Sequence, residues 1–174
     1  PMTVSIPQAR PAHVGWRLLA LVYDLFPVFA VVLAFGAVVT AIAAALGHPD
    51  LSDLPWMAPL LVAGAWSVAG AYFVISWSRG GQTLGMRPWR LKVVANDGTR
   101  AARGALLRRY AFATVPAIVG IELVALLPGI ERLLPFWIGA AIAAAGPLWS
   151  LFDREGCAIY DRLSGTRFVR LAPP

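Results

Sequence analysis

The sequence predicts an all-α membrane protein: four transmembrane helices arranged as two pseudo-repeated hairpins, with short strand and turn segments at the cytoplasmic interface. Three observations predict it. The 174 residues are 59% hydrophobic and 14% charged, against roughly 45–50% and 25% in soluble domains. Four apolar runs are each long enough to cross about 30 Å of hydrocarbon, and basic residues crowd the connections at alternate ends of those runs. A soluble fold would have to cover four uncharged core helices with too little polar surface.

In chain order, residues 1–13 read as a flexible polar segment and 14–174 as a single transmembrane domain. The first helix, about 17–46, follows the run Leu18 to Leu46 with Asp24 inside it. That run starts too late and extends too far for a cleaved signal peptide, so the helix is expected to be a retained anchor. The second helix, about 55–77, carries no charge in its run from Pro55 to Trp77. A cap over 78–103 follows, in which Leu91 to Ala95 is short and rich in β-branched residues and Asn96-Asp97-Gly98 signals a turn. The third helix, about 104–127, encloses Glu122, and the fourth, about 133–152, is uncharged between Leu133 and Phe152. Pro116 and Pro147 are expected to kink these two helices. The second part of the cap spans 153–171, and its alternating tail Arg167-Phe168-Val169-Arg170-Leu171 suits pairing with the first strand.

Orientation follows from the basic residues. Between Ser78 and Arg109 stand Arg79, Arg87, Arg90, Lys92, Arg100, Arg103, Arg108 and Arg109 against only Asp97, and the tail adds Arg154, Arg162, Arg167 and Arg170. The loop from Gly47 to Leu54 has Asp50 and Asp53 and no Lys or Arg, and the turn from Pro128 to Arg132 is neutral. The positive-inside rule then places both termini in the cytoplasm of a bacterial cytoplasmic membrane, and anionic inner-leaflet lipid rather than nucleic acid accounts for the pI near 10.4. The single cysteine, Cys157, excludes an internal disulfide and falls on the reducing side. Trp16, Trp56, Trp77, Trp89 and Trp137 near helix ends read as an interfacial belt.

Each half is a hairpin followed by a Gly-bearing basic segment. Gly81-Gln82-Thr83-Leu84-Gly85-Met86-Arg87, running on to Val94, lies over Gly156-Cys157-Ala158-Ile159-Tyr160-Asp161-Arg162, running on to Val169, without gaps. Each half also begins with arginine at a helix mouth, Arg17 in one and Arg108 or Arg109 in the other, which implies a pseudo-twofold axis along the membrane normal. Small residues recur every fourth position at Gly36, Thr40 and Ala44, at Ala63, Ser67 and Ala71, and at Ala140 and Ala144. Such faces let helices approach closely, within one chain or between chains of an oligomer.

An ionisable group inside a lipid-spanning helix costs several kcal/mol unless paired or wetted, which singles out Asp24. Arg17 and Asp24 share a helix face, but about 10 Å of rise separates them, so Arg17 is better placed to pair with Asp161 on the tail. By depth, the candidate partners of Asp24 are Arg108 or Arg109, with Gln82 and Thr83 as neutral donors. Pro27 has no N–H for the carbonyl of Tyr23, leaving a free oxygen beside the carboxylate, a combination suited to a proton or a hard cation. A fixed salt bridge that sets helix register is the structural alternative. Glu122 either shares a seam with Asp24 as a second acid of a relay or snorkels to the outer interface.

Enzymatic readings find no support. His13 and His48 fall on opposite sides of the membrane, no Ser, His and Asp share a face, Gly80-Gly81 lacks the lysine of a phosphate loop, and the buried acids differ in depth. No metal set and no cofactor site is expected.

Taken together, Arg17, Asp24, Gly81-Gln82-Thr83-Leu84-Gly85, the strand and turn Val93-Val94 to Asp97-Gly98, Leu107-Arg108, and Asp161-Arg162-Leu163-Ser164-Gly165-Thr166 resemble the RDD family of small polytopic membrane proteins. The likeness runs from about Ala12 to Leu171, and the arginine and two aspartates that name the family correspond to Arg17, Asp24 and Asp161. Two departures stand out: Tyr160 occupies the place of a common histidine, and Met86-Arg87-Pro88-Trp89 replaces a more basic, Leu-rich run. The resemblance implies cation/proton antiport, with monovalent cations and protons as ligands, or alternatively a scaffold or accessory role beside a membrane-protein partner.

Overall fold

The computed structural model describes residues 10–48, 50, 56–127, 129 and 133–172. The segment 1–9, the outer-loop Asp53, the helix start at Pro55 and most of the turn from Pro128 to Arg132 lie outside the described residues. Four long helices, α1 Val14–Ala45, α2 Met57–Gly80, α3 Arg103–Ala125 and α4 Leu134–Leu148, form the body, and a 3-10 turn, Trp149–Leu151, prolongs the last. All four are long and apolar enough to cross a membrane. Their apolar side chains face outward, with Phe26 75% and Phe29 65% exposed; hydrocarbon tolerates such a surface and water does not.

The helix ends differ from the sequence expectation for local reasons. Helix α1 starts at Val14, three residues early, because the Nδ1 of His13 accepts the Gly15 N–H at 3.1 Å and caps the first turn. Helix α2 continues past Trp77 to Gly80 and is closed by Gly81 at φ +73°, whose N–H donates to the Trp77 carbonyl at 2.8 Å. A side chain at Gly81 would also meet Lys92 at 2.8 Å, so close approach and handedness both require glycine. Helix α3 continues through Pro116, while Pro147 stands at the end of α4, where the 3-10 turn begins.

One end of the bundle carries a three-stranded antiparallel sheet, β1 Arg10–Pro11, β2 Leu91–Ala95 and β3 Thr166–Arg170, with β3 in the centre. Leu91 pairs with Arg170, Val93 with Phe168 and Ala95 with Thr166, while Arg10 and Pro11 pair with Arg170 and Val169. The expectation of a flexible segment through residue 13 is thus corrected at residues 10–13, which form a strand and a helix cap. A six-residue helix that the sequence pattern does not predict, α5 Ile159–Ser164, precedes β3. The Asp161 carboxylate accepts the Ala158 N–H at 2.9 Å at its start, and Gly165 at φ +70° ends it.

Inside the bundle, glycines receive large side chains: Gly64 receives the Phe35 ring, Gly70 that of Tyr110, and Gly120 and Gly139 the side chains of Ile142 and Ile121. The small-residue series predicted to pack the helices within one chain does not do so, since Thr40, Ala44, Ala63, Ser67, Ala71, Ala140 and Ala144 are exposed. Backbone proximity is set here by single glycines facing aromatic or branched residues, a pattern that four-residue spacing does not reveal. The tightest core lies where the helix mouths meet the sheet, around Met86, Leu91, Val93, Leu106 and Phe168. Trp77 belongs to that core at 8% exposure, which removes it from the expected interfacial belt, and Trp16 packs on Trp89 with ring centroids 5.1 Å apart.

Candidate functional site

Two polar clusters lie at this end of the bundle. The first is built on Asp161, which is fully buried and bound by two arginines. Arg17, in the first turn of α1, donates from Nη1 to Oδ2 at 2.7 Å, and Arg109, in the second turn of α3, donates to Oδ1. Arg17 also donates to the carbonyls of Ala12 at 3.0 Å and Gly156 at 2.7 Å, and Arg109 to Thr166 Oγ1 at 2.8 Å. The cluster therefore buries two positive charges against one negative. The Phe168 ring lies 5.2 Å from the Arg17 guanidinium and 4.9 Å from that of Arg109, which also faces Tyr160 at 4.9 Å and Trp77 at 5.4 Å. These π faces offset the surplus charge. Burial pushes the Tyr160 phenol up from its ordinary value, so this side chain stays neutral beside the cluster.

The second cluster surrounds Asp24, 3% exposed on α1. Oδ1 accepts the Tyr72 hydroxyl of α2 at 2.6 Å and the Gly85 N–H at 2.8 Å, and Oδ2 accepts the Thr83 hydroxyl. The Leu84 N–H donates to the Tyr72 oxygen at 3.3 Å, so the segment after α2 wraps the carboxylate with backbone and hydroxyl donors alone. Gly85 permits this: an added Cβ there would collide with the Ala20 carbonyl and sit 2.7 Å from the Asp24 carboxyl carbon. Among the described residues no arginine forms a hydrogen bond or ion pair with Asp24. The expectation of Arg108 or Arg109 as its partner is corrected: Arg109 binds Asp161, and Arg108, one residue round the helix, is exposed.

Arg17 and Asp161 are brought together, and Thr83 meets Asp24. Gln82 does not meet Asp24 and donates instead to the Leu91 carbonyl at 2.7 Å, tying the segment to β2. Glu122 lies exposed on the far part of α3, away from the buried Asp24 cage, so the two acids share no seam. The Tyr23 ring is half-exposed and packs edge-on against Trp89 at 5.7 Å; only its carbonyl, opposite Pro27, concerns the site. Arg162 pairs with Asp153 at 2.6 Å on the surface. Tyr72 escaped the sequence reading, although a tyrosine within an uncharged span, needing a partner for its hydroxyl, was a usable signal.

Chemically the clusters differ. The Arg17, Asp161 and Arg109 triad is locked from every side, whereas the Asp24 donors include two hydroxyls, each able to rotate from donor to acceptor. Among the described residues no three His, Cys, Asp or Glu side chains converge on a metal position.

The sequence profile of the RDD family matches residues 11–165, a stretch that holds Arg17, Asp24, Tyr72, Thr83, Gly85, Arg109 and Asp161. No curated protein and no solved structure matches the chain.

Proposed function

The chain belongs to the RDD family, and from that premise we propose that this membrane protein exchanges a monovalent cation for protons at Asp24. The observation that carries the reading is a carboxylate 3% exposed, set in an apolar span and held, among the described residues, by neutral donors alone. An arginine partner would fix the charge; hydroxyl partners do not. With a proton bound, the carboxylic acid donates to a rotated Thr83 or Tyr72 oxygen. With a cation bound, the carboxylate, those two hydroxyl oxygens and the Tyr23 carbonyl that Pro27 leaves free are hard oxygen ligands. One carboxylate cannot hold both ligands, and that competition is the basis of exchange.

In this reading the protein is not an enzyme. Both termini and the sheet face the cytoplasm, where anionic lipid meets the basic cap. The two halves are diverged copies, each with a first helix that clasps the segment after its own hairpin: Asp24 holds Thr83 and Gly85, and Arg109 holds Asp161. The strand register supports this. Laying Gly81 over Gly156 carries Leu91 onto Thr166 and Ala95 onto Arg170, so the pairs Leu91–Arg170 and Ala95–Thr166 exchange.

The test is cation-driven dissipation of a pH gradient in proteoliposomes containing the full chain, with sodium, potassium and lithium added in turn. Wild type should dissipate the gradient and Asp24→Asn should not, while both melt at similar temperatures in detergent. Equal activity of the two would end the exchange reading, and a non-catalytic scaffold or accessory subunit would replace it.

A further inference from the structure

A cleft of about 380 Å³ opens between the last turns of α2 and the segment that follows it. Tyr72 lines it, and the hydroxyl of that residue donates to Asp24. Arg79 and Arg87 line it as well, both exposed, and neither guanidinium meets a carboxylate among the described residues. The Ser76 hydroxyl in the same wall makes no hydrogen bond among the described residues. Ile75 and Leu84 also line the cleft and are 47% and 54% exposed.

Two guanidiniums without a carboxylate and a hydroxyl without a hydrogen bond among the described residues call for a multidentate oxyanion, and arginine's planar fork suits phosphate. The apolar residues in the same cleft call for hydrocarbon attached to that anion. The cleft lies at the basic end of α2, where a helix leaving hydrocarbon meets the headgroup layer. We propose that it binds the phosphate group of an anionic glycerophospholipid, with Arg79, Arg87 and Ser76 on the phosphate oxygens and an acyl chain along Ile75 and Leu84. A zwitterionic lipid carries the same phosphate, but its choline cation would meet the two arginines. A bound lipid covers Tyr72 and thereby the approach to Asp24. The binding itself does not depend on whether Asp24 exchanges ions.

The experiment uses the purified full chain in a maltoside detergent, titrated with short-chain phosphatidylglycerol, short-chain phosphatidylcholine and inorganic phosphate, with bound ligand read by native mass spectrometry. Phosphatidylglycerol should bind saturably and phosphatidylcholine at least about tenfold more weakly. At about 1 kcal/mol per basic contact, R79Q/R87Q should lose about 30-fold in phosphatidylglycerol affinity. R100Q/R103Q removes two exposed arginines that do not line this cleft and should change affinity less than about twofold. Leu84→Asp should weaken the lipid while leaving both arginines in place. Equal weakening by the two double variants would reduce the effect to bulk charge and overturn the site. Displacement of the lipid by an equal concentration of inorganic phosphate would overturn the lipid in favour of a free anion, and unchanged binding by R79Q/R87Q would overturn the cleft.

Discussion

Removing Asp161 should cost more than removing either arginine that binds it, and the loss should be coupled to Arg17. With Asp161→Ala, two guanidiniums that are 5% and 2% exposed lose their shared counter-charge, and orphaning a buried charge costs about 3–5 kcal/mol. With Arg17→Ala, Asp161 keeps Arg109 and the Ala158 N–H, while the bonds to Ala12 and Gly156 disappear along with the bridge. At about 1.5–3 kcal/mol for a charged hydrogen bond, less what water recovers, that single variant should lose about 3 kcal/mol. The double variant has no bridge left to break, so its loss should fall short of the sum by about 2 kcal/mol. For a chain of 174 residues, each kcal/mol moves the midpoint by about 2–4 °C, so Asp161→Ala should melt about 6–20 °C lower. Thermal unfolding in detergent, followed by near-UV circular dichroism on all four proteins of the cycle, reads these shifts. Additivity within about 0.5 kcal/mol would show that Arg17 and Asp161 do not stabilise one another and would refute the reasoning.

Other expectations are more local. Gly85→Ala drives a Cβ into the Ala20 carbonyl and Asp24 and should cost about 1–3 kcal/mol, and would also abolish the proposed exchange, whereas Gly36→Ala, with open space around it, should be neutral or stabilising by up to about 1 kcal/mol; equal melting shifts would contradict the packing. The Cys157 N–H beside Asp153, with Arg162 in support, holds the Asp153 carboxyl below its usual value. A depressed carboxyl pKa adds stability that is present above about pH 4 and lost as pH falls through the folded value, so the melting gap between wild type and Asp153→Asn should shrink from pH 7 to pH 3. A gap of constant size would disprove that linkage. Burial, followed by the nearby Asp161 charge, pushes the Cys157 thiol up, so iodoacetamide should alkylate it at least about tenfold more slowly than a free cysteine at pH 8 until the protein is unfolded. Alkylation of the folded chain at the free rate would show that the thiol is open.

The body of the fold was legible because span length and charge asymmetry are properties of the whole run of sequence, insensitive to packing detail. The Arg17 and Asp161 pairing was legible for a related reason, since depth along the membrane normal restricts which charges can meet. Depth alone misassigned Arg109. Helical phase decides between Arg108 and Arg109, and the buried neighbours Leu106 and Tyr110 mark the inward face of α3 on the side of Arg109. The Asp24 cage was only partly legible: Thr83 was among the candidates, but Tyr72 lies on a separate helix and the Gly85 N–H carries no side-chain signature. Helix α5 hid behind its brevity, although Asp161 near its start and Gly165 just beyond its end are ordinary boundary signals.

The central position of β3 has a consequence for biosynthesis. The strands that flank it, residues 10–11 and 91–95, leave the ribosome long before residues 166–170. Until then both wait at the membrane surface with unpaired edges, and Arg17 and Arg109 wait without their shared carboxylate. The four helices can enter the bilayer in turn, but the sheet closes only when this late segment arrives, so a nascent chain stalled before it would be inserted yet unlatched, with open strand edges for a protease to engage.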